Sequence, residues 1–149
     1  MSAATSSPTS GASTLRPDGP TSGTGADDRD GISVLVVDDH PGFRRALEHA
    51  LRRAPGLRVV GCARNGEEAI AMSARLEPRV VVMDLAMPGV SGVEATRRLM
   101  RQEVPPAVVA LSGSRELMRD AIAAGACRAL LKEGDLSELL TTIRLVTAR

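Results

Sequence analysis

The sequence predicts an α/β protein, a doubly wound five-stranded parallel sheet with helices on both faces. Three observations predict it. From Ile32 onward, five short apolar runs alternate with amphipathic helical patterns. Runs such as Val80-Val81-Val82-Met83 are continuously apolar, as strands buried on both faces must be. Polar residues cluster where the runs end, and doubly wound folds gather function at that rim.

Ile32–Val37 forms the first run and leads straight into Asp38-Asp39. Pro41 suits the first turn of the next segment, where Phe43, Ala46, Leu47, Ala50 and Leu51 recur at helical spacing. The second run is Leu57–Cys62, and Asn65 with Glu68 has the spacing of a capping box opening the second helix. Val80–Met83 is the third run and ends in Asp84, with Ser91 and Glu94 again spaced as a capping box. Ala107–Leu111 ends in Ser112 and precedes a fourth helical segment. Arg128–Leu131 ends in Lys132. Asp135 and Glu138 then open a helix whose apolar stripe is Leu136, Leu139, Leu140, Ile143 and Val146.

The 149 residues suffice for one domain with a real core, and a net charge of +1 does not point to a polyanion or a membrane as partner. No run of about 18 apolar residues is present. The N-terminus lacks a signal-peptide pattern, so the cytoplasm is expected. Cys62 and Cys127 lie far apart with no Cys-x-x-Cys spacing and read as small buried thiols. Residues 1–31 are rich in Ser, Thr, Gly, Pro and Ala, with Leu15 the one large apolar side chain after Met1; the expectation is a disordered tail, with the folded domain spanning 32–149. Gly23-Thr24-Gly25 precedes a strand and lacks a third glycine, so it is no dinucleotide loop.

The strand ends carry the chemistry. Asp38, Asp39 and Asp84 would converge with Ser112 and Lys132 on one rim. Neighbouring carboxylates repel by a few kcal/mol at about 4 Å in a protein-like dielectric. A hard divalent cation would relieve this, and carboxylates plus water suit Mg²⁺. Of 19 basic residues, 18 are arginine and one is lysine, Lys132. A lone lysine at a strand end suggests a site that needs a compact ammonium instead of a planar fork.

VLVVDDH, VVVMDLAMPGVSG, VVALSGS and ALLKEG, in this order and spacing, resemble the receiver domain of two-component response regulators over Ile32 to Arg149. DDH, the D-x-x-M-P-G pattern and the LLKEG ending are most similar to the subfamily joined to a LuxR/NarL-type DNA-binding domain. The resemblance implies a flavodoxin-like (βα)5 sheet of strand order 2-1-3-4-5. It implies that Asp84 accepts a phosphoryl group from a sensor histidine kinase or phosphotransfer protein. Asp39, Asp84 and the backbone carbonyl of Ala86 would ligate Mg²⁺ directly, and Asp38 through water. Lys132 and Ser112 would contact phosphoryl oxygens, and Met87-Pro88-Gly89 would shape the loop. Such a domain catalyses only its own phosphorylation and dephosphorylation, and signals to an output partner or by forming a homodimer.

Two features depart from that pattern. Ala129 stands where many receivers carry a tyrosine or phenylalanine, and Phe43 is the sole aromatic residue. The chain stops after the fifth helix, so no output domain is expected within it, although a fragment of a longer DNA-binding regulator would read the same. Among other candidates, His40 reads as a helix start and His49 as a helix-surface residue. Arg44-Arg45, Arg52-Arg53 and Arg97-Arg98 read as solvated helix faces balanced by glutamates, and nucleic acid is not an expected partner. A haloacid-dehalogenase-type phosphatase would need an acid at position 86, where alanine stands. The remaining alternative is a receiver-like binding module that acts without phosphorylation.

Overall fold

The computed structural model describes residues 31–148; the expected N-terminal tail, except Gly31, lies outside the described residues. Strands β1 (Ile32–Val37), β2 (Leu57–Ala63), β3 (Val80–Asp84), β4 (Ala107–Ser112) and β5 (Arg128–Leu131) alternate with five helices. These are α1 (Pro41–Arg52), α2 (Gly66–Leu76), α3 (Gly92–Leu99), α4 (Arg115–Ala124) and α5 (Leu136–Val146). All strand pairs are parallel, in the order β2-β1-β3-β4-β5. Among the described residues no helix is long and apolar enough to cross a membrane.

Alternation along each strand builds two cores. Leu35, Val37, Val81, Met83, Val108 and Ala110 face Ala69, Ala95, Leu99 and Ala121 of α2, α3 and α4. Val34, Val36, Val80, Val82, Val109 and Leu111 face Leu47, Leu51, Leu139 and Ile143 of α1 and α5. The chain therefore changes direction of winding between β1 and β3, and the ends of those two strands frame the switch point.

Three strands run one residue beyond the apolar runs, to Ala63, Asp84 and Ser112. Ladder bonds involve only the backbone, so a polar side chain does not end the pairing; Asp84 still pairs with Leu111 and Ser112 with Leu131. Two residues of the expected stripes face outward. Ala46 is exposed, and Leu136 is 41% exposed. Both line a groove of about 210 Å³ between α1 and α5, together with Phe43, Leu47, Leu131 and Leu139.

The helix caps partly follow the expected boxes. Asn65 Oδ1 accepts the Glu68 N–H at 2.8 Å, and Ser91 Oγ accepts the Glu94 N–H at 3.1 Å. Neither glutamate closes its box. Glu68 turns to the backbone and guanidinium of Arg64, and Glu94 pairs with Arg97 and Arg98, because a charged partner outcompetes a neutral N–H. Asp135 caps Ser137 instead of Glu138, taking both its N–H (3.1 Å) and its hydroxyl (2.8 Å). Ser114, which no box signalled, caps α4 through the Leu117 N–H at 3.2 Å. Cys62 and Cys127 are free thiols but only half-buried. Burial, followed by the Glu48 carboxylate, pushes the Cys62 thiol up to about 11.

The turn from β3 into α3 requires glycine at position 92. A Cβ there would strike the Asp84 carbonyl oxygen and come within 2.6 Å of Leu85 Cα, both backbone atoms that cannot swing aside. Gly92→Ala is expected to destabilise the domain by about 1–3 kcal/mol, as overpacking does. Chemical denaturation checks this, and an unchanged midpoint would contradict it.

Candidate functional site

Sheet register builds the site. Val37 pairs with Met83, so the next residues, Asp38 just past β1 and Asp84 at the end of β3, lie side by side at the rim. The Leu85 N–H bonds the Leu111 carbonyl (3.0 Å), and the Lys132 N–H bonds the Ser112 carbonyl (3.0 Å). These bonds carry the same rim across β4 and β5.

The β1–α1 loop is held at three points. The Asp38 N–H donates to the Ala63 carbonyl at 3.1 Å. Asp38 Oδ1 accepts the His40 N–H at 2.8 Å, and the Asp38 carbonyl accepts Arg44 Nη1 at 2.8 Å. Asp84 Oδ1 accepts the Ala86 N–H at 3.1 Å, which folds the β3–α3 loop back over the strand end. Ala86 itself is exposed.

Lys132 Nζ lies 2.9 Å from Asp38 Oδ2 and 3.2 Å from Asp84 Oδ2. Both carboxylates are only 1% exposed, whereas Asp39 keeps a quarter of its side chain in solvent. Ligand atoms of Asp38, Asp39, Asp84 and His40 all lie within 4.8 Å of one another. Asp38 Oδ2, Asp39 Oδ1 and Asp84 Oδ2 are buried without a well-directed hydrogen bond, so Lys132 meets two of them as an ion pair only.

Burial raises the Asp84 carboxyl above the usual range, and the Asp38 charge adds to this; the Ala86 N–H and Lys132 oppose it. Burial alone would lower the Lys132 ammonium, but Asp38 and Asp84 outweigh it and raise the group. Three carboxylates against one ammonium leave an excess of two negative charges. Unpartnered carboxylate oxygens in that setting fit a hard divalent cation, and Asp38, Asp39 and Asp84 are the side chains that could hold it.

Four of the five strand-end residues thus come together. The fifth, Ser112, is buried at the neighbouring strand end, but its hydroxyl is engaged with Ser114: Oγ accepts the Ser114 N–H (2.9 Å) and donates to its carbonyl (3.3 Å). His40 occupies the N-cap of α1 with its ring 69% exposed, and Nδ1 is 3.3 Å from Asp39 Oδ1. His49 is exposed, as expected.

Two site residues were not legible in the sequence. Arg44 reads there as one of a solvated arginine pair, yet it clamps the Asp38 carbonyl. Phe43 reads as a core residue, yet its ring centroid is 4.6 Å from Lys132 Nζ. Helical spacing places both on α1 but says nothing about β5, which is distant in sequence. On the opposite face of the sheet, Ala129 packs on the core of α2, α3 and α4. It borders a shallow groove with Met118, Ile122 and Arg128.

Residues 34–144 match the family model of the response regulator receiver domain. The response regulator GacA of Pseudomonas protegens is 43% identical over 119 residues, which cover 78% of this chain and 56% of GacA. The chain therefore spans about half the length of such curated relatives. A LuxR-family two-component response regulator from Aurantimonas superposes with a TM-score of 0.75 at 31% identity, covering 79% of this chain and 86% of that one. The response regulator domain of Thermotoga maritima CheB superposes with a TM-score of 0.73 at 31% identity, covering 80% and 98%.

Proposed function

The chain belongs to the response regulator receiver domains of two-component systems, and on that premise we propose that Asp84 accepts a phosphoryl group from a histidine kinase or phosphotransfer protein. A single observation carries this reading. Asp84 Oδ2 is a buried carboxylate oxygen held by nothing but its ion pair with the chain's one lysine, 3.2 Å away. Such an atom is poised to form a bond from inside a charged rim.

In the transfer, an Asp84 oxygen attacks phosphorus as the bond to the donor imidazole nitrogen breaks. The electron pair leaves with that nitrogen. An acyl phosphate forms on Asp84. Lys132 pairs with the incoming phosphoryl oxygens, and the Ala86 N–H orients the carboxylate during attack. A divalent cation such as Mg²⁺, when bound by Asp38, Asp39, Asp84 and the Ala86 carbonyl, would spread the phosphoryl charge. Ser112 can donate to a phosphoryl oxygen once its hydroxyl leaves Ser114. In this reading the domain is a signalling module, not an enzyme acting on other substrates, and it works in the cytoplasm through an output partner or a second copy.

Intact-mass measurement after incubation with a small-molecule phosphodonor tests the proposal. One phosphoryl mass is expected with Mg²⁺ and none with a chelator; equal labelling in both would contradict it. Ala129 favours a second reading, in which contacts are constitutive, since no aromatic side chain can turn inward at that position. Identical amide spectra with and without beryllofluoride outside the metal pocket would favour that reading.

A further inference from the structure

We infer that Phe43 is a positioning residue for Lys132, its ring holding the ammonium at the acidic rim by cation–π attraction and so setting how well a phosphoryl group is bound. The inference rests on the phosphoacceptor reading of Asp84. Lys132 Nζ is 4.6 Å from the ring centroid, within the ~6 Å over which the negative face of an aromatic ring attracts a cation. The same nitrogen is 2.9 Å from Asp38 Oδ2 and 3.2 Å from Asp84 Oδ2. The ammonium is thus drawn by carboxylates and by a π face together.

A lysine stem is long and flexible, and fixing it costs rotamer entropy. β5 is an edge strand only four residues long, and Leu131, just before the lysine, is 52% exposed. So short an edge strand does not by itself confine the stem; the Lys132 side chain is 21% exposed because the acidic rim and the Phe43 ring lie against it. The ring is well anchored by comparison. It packs on the core of α1 and α5, and the start of its helix is pinned by Pro41 and by the bond from Arg44 to the Asp38 carbonyl. Packing alone would be met by a leucine; the π face answers a different need. One lysine and one aromatic residue exist in the whole chain, and they meet at the acidic rim. A phosphoryl group on Asp84 requires the ammonium to exchange a carboxylate oxygen for a phosphoryl oxygen. The ring keeps it attracted and partly desolvated during that exchange.

Because Phe43 is the only phenylalanine, supplying trifluorophenylalanine in place of phenylalanine alters this position alone. The analogue keeps the ring's shape and packing while weakening the negative potential of its face. Beryllofluoride affinity in the presence of Mg²⁺, measured by calorimetry, is expected to fall by about five- to 12-fold in this protein and in Phe43→Leu. The contact already exists in the free protein, so that range converts only the strengthening of the attraction as the ammonium is desolvated on binding, about 1–1.5 kcal/mol at 1.4 kcal/mol per tenfold. Phe43→Tyr should keep the parent affinity within about twofold. The ε-methylene protons of Lys132 give one signal, since the chain has one lysine. Ring current should displace that signal upfield in the parent and in Phe43→Tyr, but not in Phe43→Leu. Parent affinity in both the trifluoro protein and Phe43→Leu would overturn the inference, and if the leucine variant fails to fold, the trifluoro protein decides alone. A parent that binds no beryllofluoride and takes no phosphoryl label would overturn the phosphoacceptor reading and this inference with it.

Discussion

Asp84→Asn is expected to abolish phosphoryl labelling and, in the metal-free protein at neutral pH, to raise thermal stability. Both effects come from the same atom. Asp84 is the buried carboxylate beside Lys132, and the amide that replaces it cannot attack phosphorus to give an acyl phosphate. The stability gain follows from electrostatics. Asp38 and Asp84 are buried carboxylates that share one ammonium, so one of their two negative charges lacks a cation of its own, and an amide at position 84 removes that excess.

The direction with pH follows from the raised Asp84 carboxyl. A carboxyl raised on folding is favoured in its protonated form. Its contribution to stability is therefore fully present below the unfolded-state value and lost as pH rises through the folded-state value. The parent should accordingly lag Asp84→Asn at neutral pH and approach it in the acid range. Added Mg²⁺ should narrow the gap at neutral pH by stabilising the parent, since a ligand that binds only the folded state stabilises it. Calorimetric melts of both proteins, with Mg²⁺ and with a chelator, measure these terms, and intact mass measures the labelling. A metal-free variant that melts below the parent at neutral pH would show that Lys132 alone compensates the pair. Equal labelling of both proteins would remove Asp84 as the acceptor.

Lys132→Arg should weaken beryllofluoride binding by at least tenfold although the charge is kept. The ammonium is a compact donor that meets Asp38 and Asp84 at 2.9 and 3.2 Å while resting near the Phe43 ring. A guanidinium is larger and planar and prefers bidentate, in-plane partners. Two carboxylates from different strands do not offer it that geometry, and its bulk would intrude where a phosphoryl group must go. Lys132→Ala should lose more, because two buried carboxylates then lack their common cation, which costs about 3–5 kcal/mol when a buried pair is broken. Titration with beryllofluoride and Mg²⁺, alongside thermal melts, separates binding from folding. Parent-like binding by Lys132→Arg would mean that charge alone serves at this position.

Much of this molecule was legible in one dimension. Burial on both faces makes runs such as Val80–Met83 continuously apolar, and amphipathic helices repeat their apolar residues, so the alternation from Ile32 to Val146 is visible locally. Asp38, Asp39, Asp84 and Lys132 stand out for the same reason: each interrupts an apolar run at its end, where a parallel sheet exposes its rim. Their motifs and spacing resembled one family, and residues 34–144 match its model.

What the tertiary structure decided lies between elements. No local pattern encodes the order β2-β1-β3-β4-β5, because strand pairing is set by packing among residues far apart in the chain; the motif resemblance implies that order, and the sheet has it. Helical periodicity puts Phe43 on a core face, but only the position of α1 beside the end of β5 puts its ring near Lys132. Arg44 is a surface residue until its guanidinium meets the Asp38 carbonyl. Ser112 is a strand-end hydroxyl in the sequence, while the fold gives it to Ser114. Ala46 and Leu136 fit their stripes, yet the groove between α1 and α5 leaves them uncovered. The physical division is one of range: periodicity reports what a segment buries, and only the packed sheet determines which neighbour it meets.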